Sequence, residues 1–221
     1  MTDNALIVFV RTPTDERLSE VIENSFEDSR LSNTYIEMAK RTFAKLKNFR
    51  KIKLIPVYEF NGKYPDLRWL NNDDPGFLAA KGDSEMQRLI HAVNWAFDTG
   101  AKKVGVVWLD MFCIDIGQIS QAFEMLEQKQ LALGVCKNKN IYFVGFNRHY
   151  DTIFKELKKE TDNVFNSLQD LSEKLAINVY LMPETYRVTD ENSYRQWISD
   201  TKKTCKTTAC NELFSLTASG V

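Results

Sequence analysis

Apolar residues follow one another without polar interruption near the centre of this chain, in the run VGVVWL at residues 104–109. A run of this kind is typical of a strand that is buried on both faces, as in a parallel sheet covered by helices. Comparable runs begin near residues 5, 53 and 178, and segments with helical periodicity separate them. The pattern predicts an α/β fold, a three-layer sandwich around a mostly parallel, mixed central sheet.

Helical segments are indicated by apolar residues at intervals of three and four. In the clearest one, Asp83 or Ser84 can act as the N-cap, and Gly100 lies just past the end. Asp115 and Asp190 can cap two further helices. The predicted apolar faces are Tyr35, Met38, Ala39, Thr42, Phe43 and Leu46; Met86, Leu89, Ile90, Val93, Ala96 and Phe97; Ile119, Ala122, Phe123 and Leu126; Val164, Phe165, Leu168, Leu171 and Leu175; and Tyr194, Trp197 and Ile198.

Two shorter apolar runs, at residues 131–135 and 141–146, are separated by the polar and basic sequence CKNKN. They predict two strands joined by a loop. Pro56 lies in the middle of the apolar run at 53–60, so this strand is expected at a sheet edge or with a bulge. Residues 61–77 are rich in turn formers and predict a long loop that could form the rim of a pocket.

Length and charge limit the class of protein. At 221 residues without a Pro-, Gly- or Ser-rich linker, the chain is expected to form one domain over residues 1–200, followed by a tail at 201–221. The 29 basic and 30 acidic residues nearly balance and give no electrostatic reason to expect nucleic acid or an anionic membrane. The first residues do not read as a leader, and no stretch approaches the roughly 18 apolar residues of a membrane helix. We expect a cytoplasmic protein without a membrane span.

The four cysteines are Cys113, Cys136, Cys205 and Cys210. They form no CxxC motif and have no histidine nearby in the sequence, so the pattern does not indicate a zinc site. Reduced, mostly buried thiols are the expectation. Cys205 and Cys210 could pair on oxidation, although a cytoplasmic setting argues against a disulfide.

The sequence contains no GxSxG, GxxxxGK[ST] or GxGxxG motif, which removes the common hydrolase, NTPase and dinucleotide-binding interpretations. His91 falls on a helix beside apolar positions and is expected to be structural, and for His149 a surface role is favoured over catalysis. Asp110 is the best candidate for chemistry, because it ends the central strand and ligands of open α/β sheets bind outside the carboxyl ends of strands. Its carboxylate could hold a divalent cation that bridges a diphosphate, or it could simply cap the following turn.

Five segments, taken together and in order, resemble the motifs of a known family. They are FVRTPTDERL at 9–18, GDSEMQRL at 82–89, VWLDMF at 107–112, GVCKNKNIYFVG at 134–145 and RVTDENSY at 187–194. Their order and spacing are similar to ARxPxPGxxKTRL, DLGxRM, IGTDCP, GPxxDGGYYLLG and DVDTxEDL, the motifs of bacterial nucleotide-diphospho-sugar transferase homologues of the GT-A type. The resemblance spans roughly residues 5–197 and implies a GT-A-like fold and a glycosyltransferase-like protein that binds a nucleotide or nucleotide sugar.

The resemblance also implies site residues. Arg11 and the loop after the first strand would lie near the nucleotide, Asp83 would help to shape the pocket, and Asp110 would hold Mg²⁺ or Mn²⁺ or contact the diphosphate. The residues that match the family pattern are Arg11, Pro13, Asp83, Asp110, Gly134, Tyr142 and Gly145.

Several acids of the family motifs are replaced in this chain. Asn138 occupies the position of the DGG aspartate, and Arg187 and Thr189 occupy those of the DVDT aspartates. Asn138 offers a neutral amide oxygen to a metal, and Lys137 and Lys139 beside it would repel a cation. These replacements weaken the expected metal site.

Three interpretations stay open. The first is an active GT-A-like transferase that uses a nucleotide-activated sugar. The second is a catalytically silent member that keeps the scaffold to bind a ligand or a protein partner, which the lost carboxylates favour. In the third, Lys137 and Lys139 replace the cation and neutralise a phosphate as point charges, whereas the plain alternative for CKNKN is a solvated hairpin turn.

Overall fold

In a computed structural model of the chain, the residues that the structure describes include seven strands, which form one sheet. The structure describes residues 3–10, 30–49, 52–59, 67, 70, 77–109, 113–137, 141–157, 164–186, 188 and 191–204. The strands are β1 (Asn4–Val10), β2 (Lys53–Glu59), β3 (Leu78–Ala80), β4 (Lys103–Trp108), β5 (Leu131–Val135), β6 (Ile141–Phe146) and β7 (Val179–Leu181). The described helices are α1 (Arg30–Lys47), α2 (Glu85–Asp98), α3 (Ile116–Met125), α4 (Asp151–Leu157), α5 (Val164–Lys174) and α6 (Glu191–Thr204).

The strand order is β3-β2-β1-β4-β6-β5-β7, with β4 in the middle. The pairs β1–β2, β1–β4, β2–β3 and β5–β7 are parallel, and β6 is antiparallel to both of its neighbours. Because β6 is reversed, β5 and β7 run in the same direction as β4. Six of the described strands therefore end at one edge of the sheet, here called the carboxyl edge.

The two central parallel strands are buried along their whole apolar length. Every residue from 5 to 10 and from 104 to 109 is buried, so both faces of β1 and β4 are covered. The uninterrupted apolar runs require this arrangement, because alternate side chains of a strand point to opposite faces. The predicted mostly parallel three-layer α/β fold is confirmed, and the central run does not lie at an exposed sheet edge.

Helix α3 packs on a row of small residues that crosses three strands. Gly105 of β4 pairs with Gly145 of β6, and Gly145 pairs with Ala132 of β5. A Cβ atom added to Gly105 would lie 2.9 Å from the ring of Phe123, and one added to Gly145 would lie 3.0 Å from a methyl group of Leu126. The helix can approach this closely because those positions carry no side chain.

Helix α2 has the ends that the sequence predicts. Ser84 is the N-cap, and its hydroxyl accepts a hydrogen bond from the Gln87 amide at 3.2 Å, while the Gln87 side chain accepts from the Asp83 amide at 2.9 Å. At the other end Gly100 adopts φ +97°, a conformation in which glycine terminates helices without strain. Both caps satisfy backbone groups that the helix itself leaves unpaired.

The hairpin and the later elements follow the prediction with differences in detail. Strands β5 and β6 pair antiparallel, with a bulge between Gly134 and Val135. Helix α6 continues to Thr204, past the predicted domain end at residue 200, and residues 205–221 lie outside the described residues with Cys205 and Cys210. The division into a domain and a tail stays a prediction.

Three features depart from the sequence analysis. Strand β2 lies between β1 and β3, not at the edge of the sheet, and Pro56 pairs with Val8 of β1. Strand β3 pairs only with residues 57–59, so Pro56 has a described strand partner on one side only. At such a position the missing N–H of proline removes fewer sheet hydrogen bonds than it would between two paired strands. Strand β3 and helix α4 were not predicted, and most of the loop at 61–77 lies outside the described residues.

None of the helices that the structure describes is both long enough and apolar enough to cross a membrane.

The row of small residues gives the first testable prediction. Replacing Gly145 with Val places two methyl groups against Phe143 and Leu126 and should lower the free energy of unfolding by about 1–3 kcal/mol. Urea denaturation followed by circular dichroism measures this change. Gln121→Ala, on the exposed face of α3, is the control and should leave the unfolding midpoint nearly unchanged. Equal midpoints for Gly145→Val and the native protein would contradict the close packing of α3.

Candidate functional site

The carboxyl edge is where the predicted site residues should meet. Phe9 pairs with Trp108, and the Leu109 amide donates to the Phe9 carbonyl at 2.9 Å, so β1 and β4 end side by side. Arg11 and Asp110 follow these strand ends in the sequence but lie outside the described residues. Their roles near a nucleotide and a metal stay predictions.

The turn after β4 is held from several sides. Lys45 of α1 donates from Nζ to the Ile114 carbonyl at 3.3 Å, and Asp115 Oδ1 accepts from the Gln118 amide at 2.9 Å. Asp115 is therefore the N-cap of α3, as the sequence predicts. Cys113 is half-buried against the core and is hydrogen-bonded to the Tyr186 hydroxyl. The described part of this turn begins only three residues after Asp110.

Asp83 lies at the carboxyl edge but far to one side. It is exposed in the turn between β3 and α2, where the preceding Gly82 adopts φ +143°. The guanidinium of the buried Arg88 donates to the Gly82 carbonyl at 3.0 Å and braces this turn. Since β3 is three strands from β4, Asp83 lies about 14 Å along the sheet from the end of β4, at the usual strand spacing.

Lys137 lies at the same edge on the other side of β4. Its amide donates to the Thr185 carbonyl at 3.1 Å, which fixes the backbone, and its side chain is exposed. Strand β6 separates β5 from β4, so Lys137 lies about 10 Å along the sheet from the end of β4. Asn138 and Lys139 lie outside the described residues. Asp83 and Lys137 thus flank the ends of β1 and β4 from opposite sides.

Two residues of the family pattern have packing roles here. The Tyr142 hydroxyl donates to the Pro183 carbonyl at 2.7 Å, and its ring lies directly against Gly134, where an added Cβ would come within 2.5 Å. Burial raises the pKa of Tyr142, which keeps the phenol protonated and able to donate. The pair fastens the chain after β7 to the β5–β6 hairpin.

The two histidines have different surroundings: His91 is partly buried on α2, and His149 lies at the opposite edge of the sheet. His91 is on α2, and burial, assisted by Lys81, lowers its pKa, which favours the neutral imidazole. His149 lies after β6, whose reversed direction takes it to the opposite edge of the sheet. There it contacts Asn94 Oδ1 at 2.8 Å and lies 3.3 Å from Asp151 Oδ1. Both arrangements fit the structural and surface roles expected from the sequence.

A metal site is not assembled by the residues that the structure describes. No group of three or more His, Cys, Asp or Glu side chains among them could hold an ion. Asp83 and Asp115 belong to separate turns, and Asp115 is engaged as a helix cap. A Mg²⁺ or Mn²⁺ site at Asp110 stays a prediction.

Three side chains at this edge form a hydrogen-bonded chain that the sequence did not predict. The Tyr186 hydroxyl donates to Asp200 Oδ2 at 2.9 Å and is also hydrogen-bonded to Cys113. Burial raises the pKa of the Cys113 thiol to about 12, and burial followed by the bond to Cys113 raises the pKa of Tyr186. No sequence motif joins these residues, because they come from three distant elements.

The raised pKa of Cys113 predicts low reactivity towards alkylating agents. At pH 8 the thiolate population should be about a thousandfold below that of a thiol at its ordinary pKa near 9. Iodoacetamide labelling followed by peptide mass spectrometry should leave Cys113 unmodified in the native protein and modify it in denaturant. Rapid labelling of native Cys113 at pH 8 would show that the thiol is neither buried nor hydrogen-bonded as described.

Comparison with known proteins rests on structure, since no protein-family model and no curated protein sequence matches the chain. A protein from Desulfovibrio desulfuricans G20, provisionally named a nucleotide-diphospho-sugar transferase, has a TM-score of 0.68 and 18% identity, with 86% of this chain and 84% of that chain covered. CMP:2-keto-3-deoxy-manno-octonic acid synthetase, solved with CTP, has a TM-score of 0.55 and 10% identity, with 91% and 99% covered.

A third similar structure is Rv0371c from Mycobacterium tuberculosis H37Rv in complex with manganese. Its TM-score is 0.51 and its identity 12%, with 89% of this chain and 97% of that chain covered. At such low identities the likeness shows a shared fold, and the ligands belong to those proteins. The chain thus shares its fold with these proteins, and the first of them carries the nucleotide-diphospho-sugar transferase name that the motif resemblance implies.

Proposed function

We propose that this chain binds a nucleotide or nucleotide sugar at the carboxyl edge, between the ends of β1 and β4, as a glycosyltransferase-like protein. The observation that carries the proposal is the pairing of Phe9 with Trp108, which brings the carboxyl ends of two buried parallel strands together. Ligands of open α/β sheets bind in the crevice outside such ends. Arg11 and Asp110, the next residues of the family pattern, follow these two strand ends in the sequence.

The charges around this edge favour direct recognition of phosphate by basic side chains. Lys137 is exposed at the end of β5, and the sequence places Lys139 two residues later. A diphosphate brings negative charge that must be met by a cation or by basic groups, and charge-assisted hydrogen bonds to its oxygens are the strong ones. In this proposal Arg11, Lys137 and Lys139 meet the phosphates, Asn138 contributes an amide, and Asp83 shapes the far side of the pocket.

A metal plays a small part in this proposal. Asp110 is the single carboxylate to which the resemblance assigns a Mg²⁺ or Mn²⁺ ion, because the acids of the DGG and DVDT motifs are replaced by Asn138, Arg187 and Thr189. One carboxylate with neutral or basic neighbours holds a hard divalent cation weakly. The same replacements favour a second candidate function, a catalytically silent protein that uses this edge to bind a ligand or a protein partner.

Calorimetric titration with UDP, GDP and CDP tests the proposal. The nucleotide that binds should show dissociation constants within about threefold of each other in Mn²⁺ and in EDTA, because basic side chains carry the charge. Lys137→Ala should weaken binding about tenfold, since it removes a charge-assisted contact to phosphate. Lys155→Ala removes an exposed lysine from α4, at the opposite edge, and should leave the dissociation constant unchanged.

The other outcomes separate the alternatives. Tight binding that disappears in EDTA and in Asp110→Asn would replace direct phosphate recognition with an ordinary metal-dependent transferase site. Absence of binding in both buffers would contradict the nucleotide proposal and favour the silent scaffold. Equal losses in Lys137→Ala and Lys155→Ala would point to a general charge effect and not to a site at β5.

A further inference from the structure

The chain that follows β7, residues 182–186, runs along the carboxyl end of β5. The Met182 amide donates to the Leu133 carbonyl at 2.8 Å, and the Thr185 amide donates to the Val135 carbonyl at 3.3 Å. The Thr185 carbonyl in turn accepts from the Lys137 amide, and Thr185 forms a parallel bridge with Cys136. This segment is therefore fastened to the sheet beside the turn that begins at Lys137.

Tyr186 extends from this fastened backbone towards two other elements. Its hydroxyl donates to Asp200 Oδ2 of α6 at 2.9 Å and is hydrogen-bonded to Cys113 in the turn after β4. Through one hydroxyl, Tyr186 therefore links the turn after β4 to α6. Burial raises the pKa of both Cys113 and Tyr186, so both groups stay protonated at neutral pH.

We infer that Tyr186 is a positioning residue for the carboxyl-edge site: it holds Cys113, three residues after Asp110, at a fixed distance from the Lys137 backbone and couples Cys113 to α6. The inference rests on the proposed nucleotide site and deepens it by naming what sets its geometry. Tyr186 joins the neighbourhoods of two predicted site residues, because Cys113 is three residues from Asp110 and Thr185 binds the Lys137 backbone. It makes no contact with ligand in this role.

The place of Cys113 in the turn gives the Tyr186 bond its importance. Lys45 fixes Ile114, and Asp115 is fixed as the cap of α3, but these anchors act further along the chain. Cys113 is the described residue nearest in sequence to Asp110 on this side, so its bond to Tyr186 restrains the turn closest to the candidate carboxylate. Loss of the bond should loosen the turn, while the fold held by the central strands persists.

Hydrogen–deuterium exchange of the ligand-free full chain tests the coupling directly. Tyr186→Phe should speed amide exchange about fivefold in peptides that cover residues 109–118 and 191–204, because it removes both hydrogen bonds and keeps the ring. Tyr150→Phe is the matched control, since Tyr150 donates to Asn147 Oδ1 at 2.7 Å at the opposite edge. It should leave exchange in those peptides unchanged. The inference would be overturned if amides in residues 109–118 exchanged at the native rate in Tyr186→Phe, or if both variants changed that rate equally.

Nucleotide binding provides a second readout. For the nucleotide among UDP, GDP and CDP that binds the native protein, Tyr186→Phe and Asp200→Ala should each weaken binding about fivefold. Asp200→Asn keeps an oxygen that can accept from Tyr186 and should restore near-native affinity, which a general loss of stability would not do. If Asp200→Asn binds the nucleotide as weakly as Asp200→Ala does, the assigned link from Tyr186 to Asp200 is overturned. If the native protein binds none of the three, the proposed function fails, and the exchange result alone supports or overturns the coupling.

Discussion

The parallel pairing of β1 with β4 is the constraint on which the rest of the structure depends. Both strands are buried on both faces, so helices must cover the sheet above and below, and the strands can end only where the chain turns out of the core. That point is the carboxyl edge, and Leu109, bonded to Phe9, marks it. Polar groups cannot enter the buried run, so Arg11 and Asp110 are the first ionisable residues that follow either strand.

The reversed strand β6 has consequences on both sides of the sheet. It lies between β4 and β5 and is antiparallel to both, so β5 runs parallel to β4 and ends, just before Lys137, at the same edge. It also brings Gly145 beside Gly105, and the absence of side chains there lets α3 lie close to the sheet. The same strand carries His149 to the opposite edge, away from the candidate site. The strand directions therefore place Lys137 at the candidate edge and His149 at the opposite one.

The sequence predicts the parts of the structure that have a local pattern. Long buried runs predict β1 and β4, and the caps Ser84 and Asp115 predict where α2 and α3 begin. Strand β3 escapes prediction because three residues carry no periodicity, and its pairing with β2 is a contact between distant parts of the chain. The contacts of Tyr186 could not be predicted for the same reason, since Cys113 and Asp200 are distant in the sequence and become its neighbours only in the folded chain. Motif matching identifies positions such as Gly134 without distinguishing their packing roles from binding roles.

The central claim is that a nucleotide binds at the carboxyl edge between β1 and β4. Amide chemical-shift mapping by NMR during titration with a nucleoside diphosphate tests it most directly, because each described backbone amide reports separately. We expect the largest shifts at the ends of β1, β4 and β5, including Leu109, Cys113 and Lys137, and none at Arg148 or Asp151 on the opposite edge. Shifts concentrated at the opposite edge, or no shifts at saturating nucleotide, would contradict it.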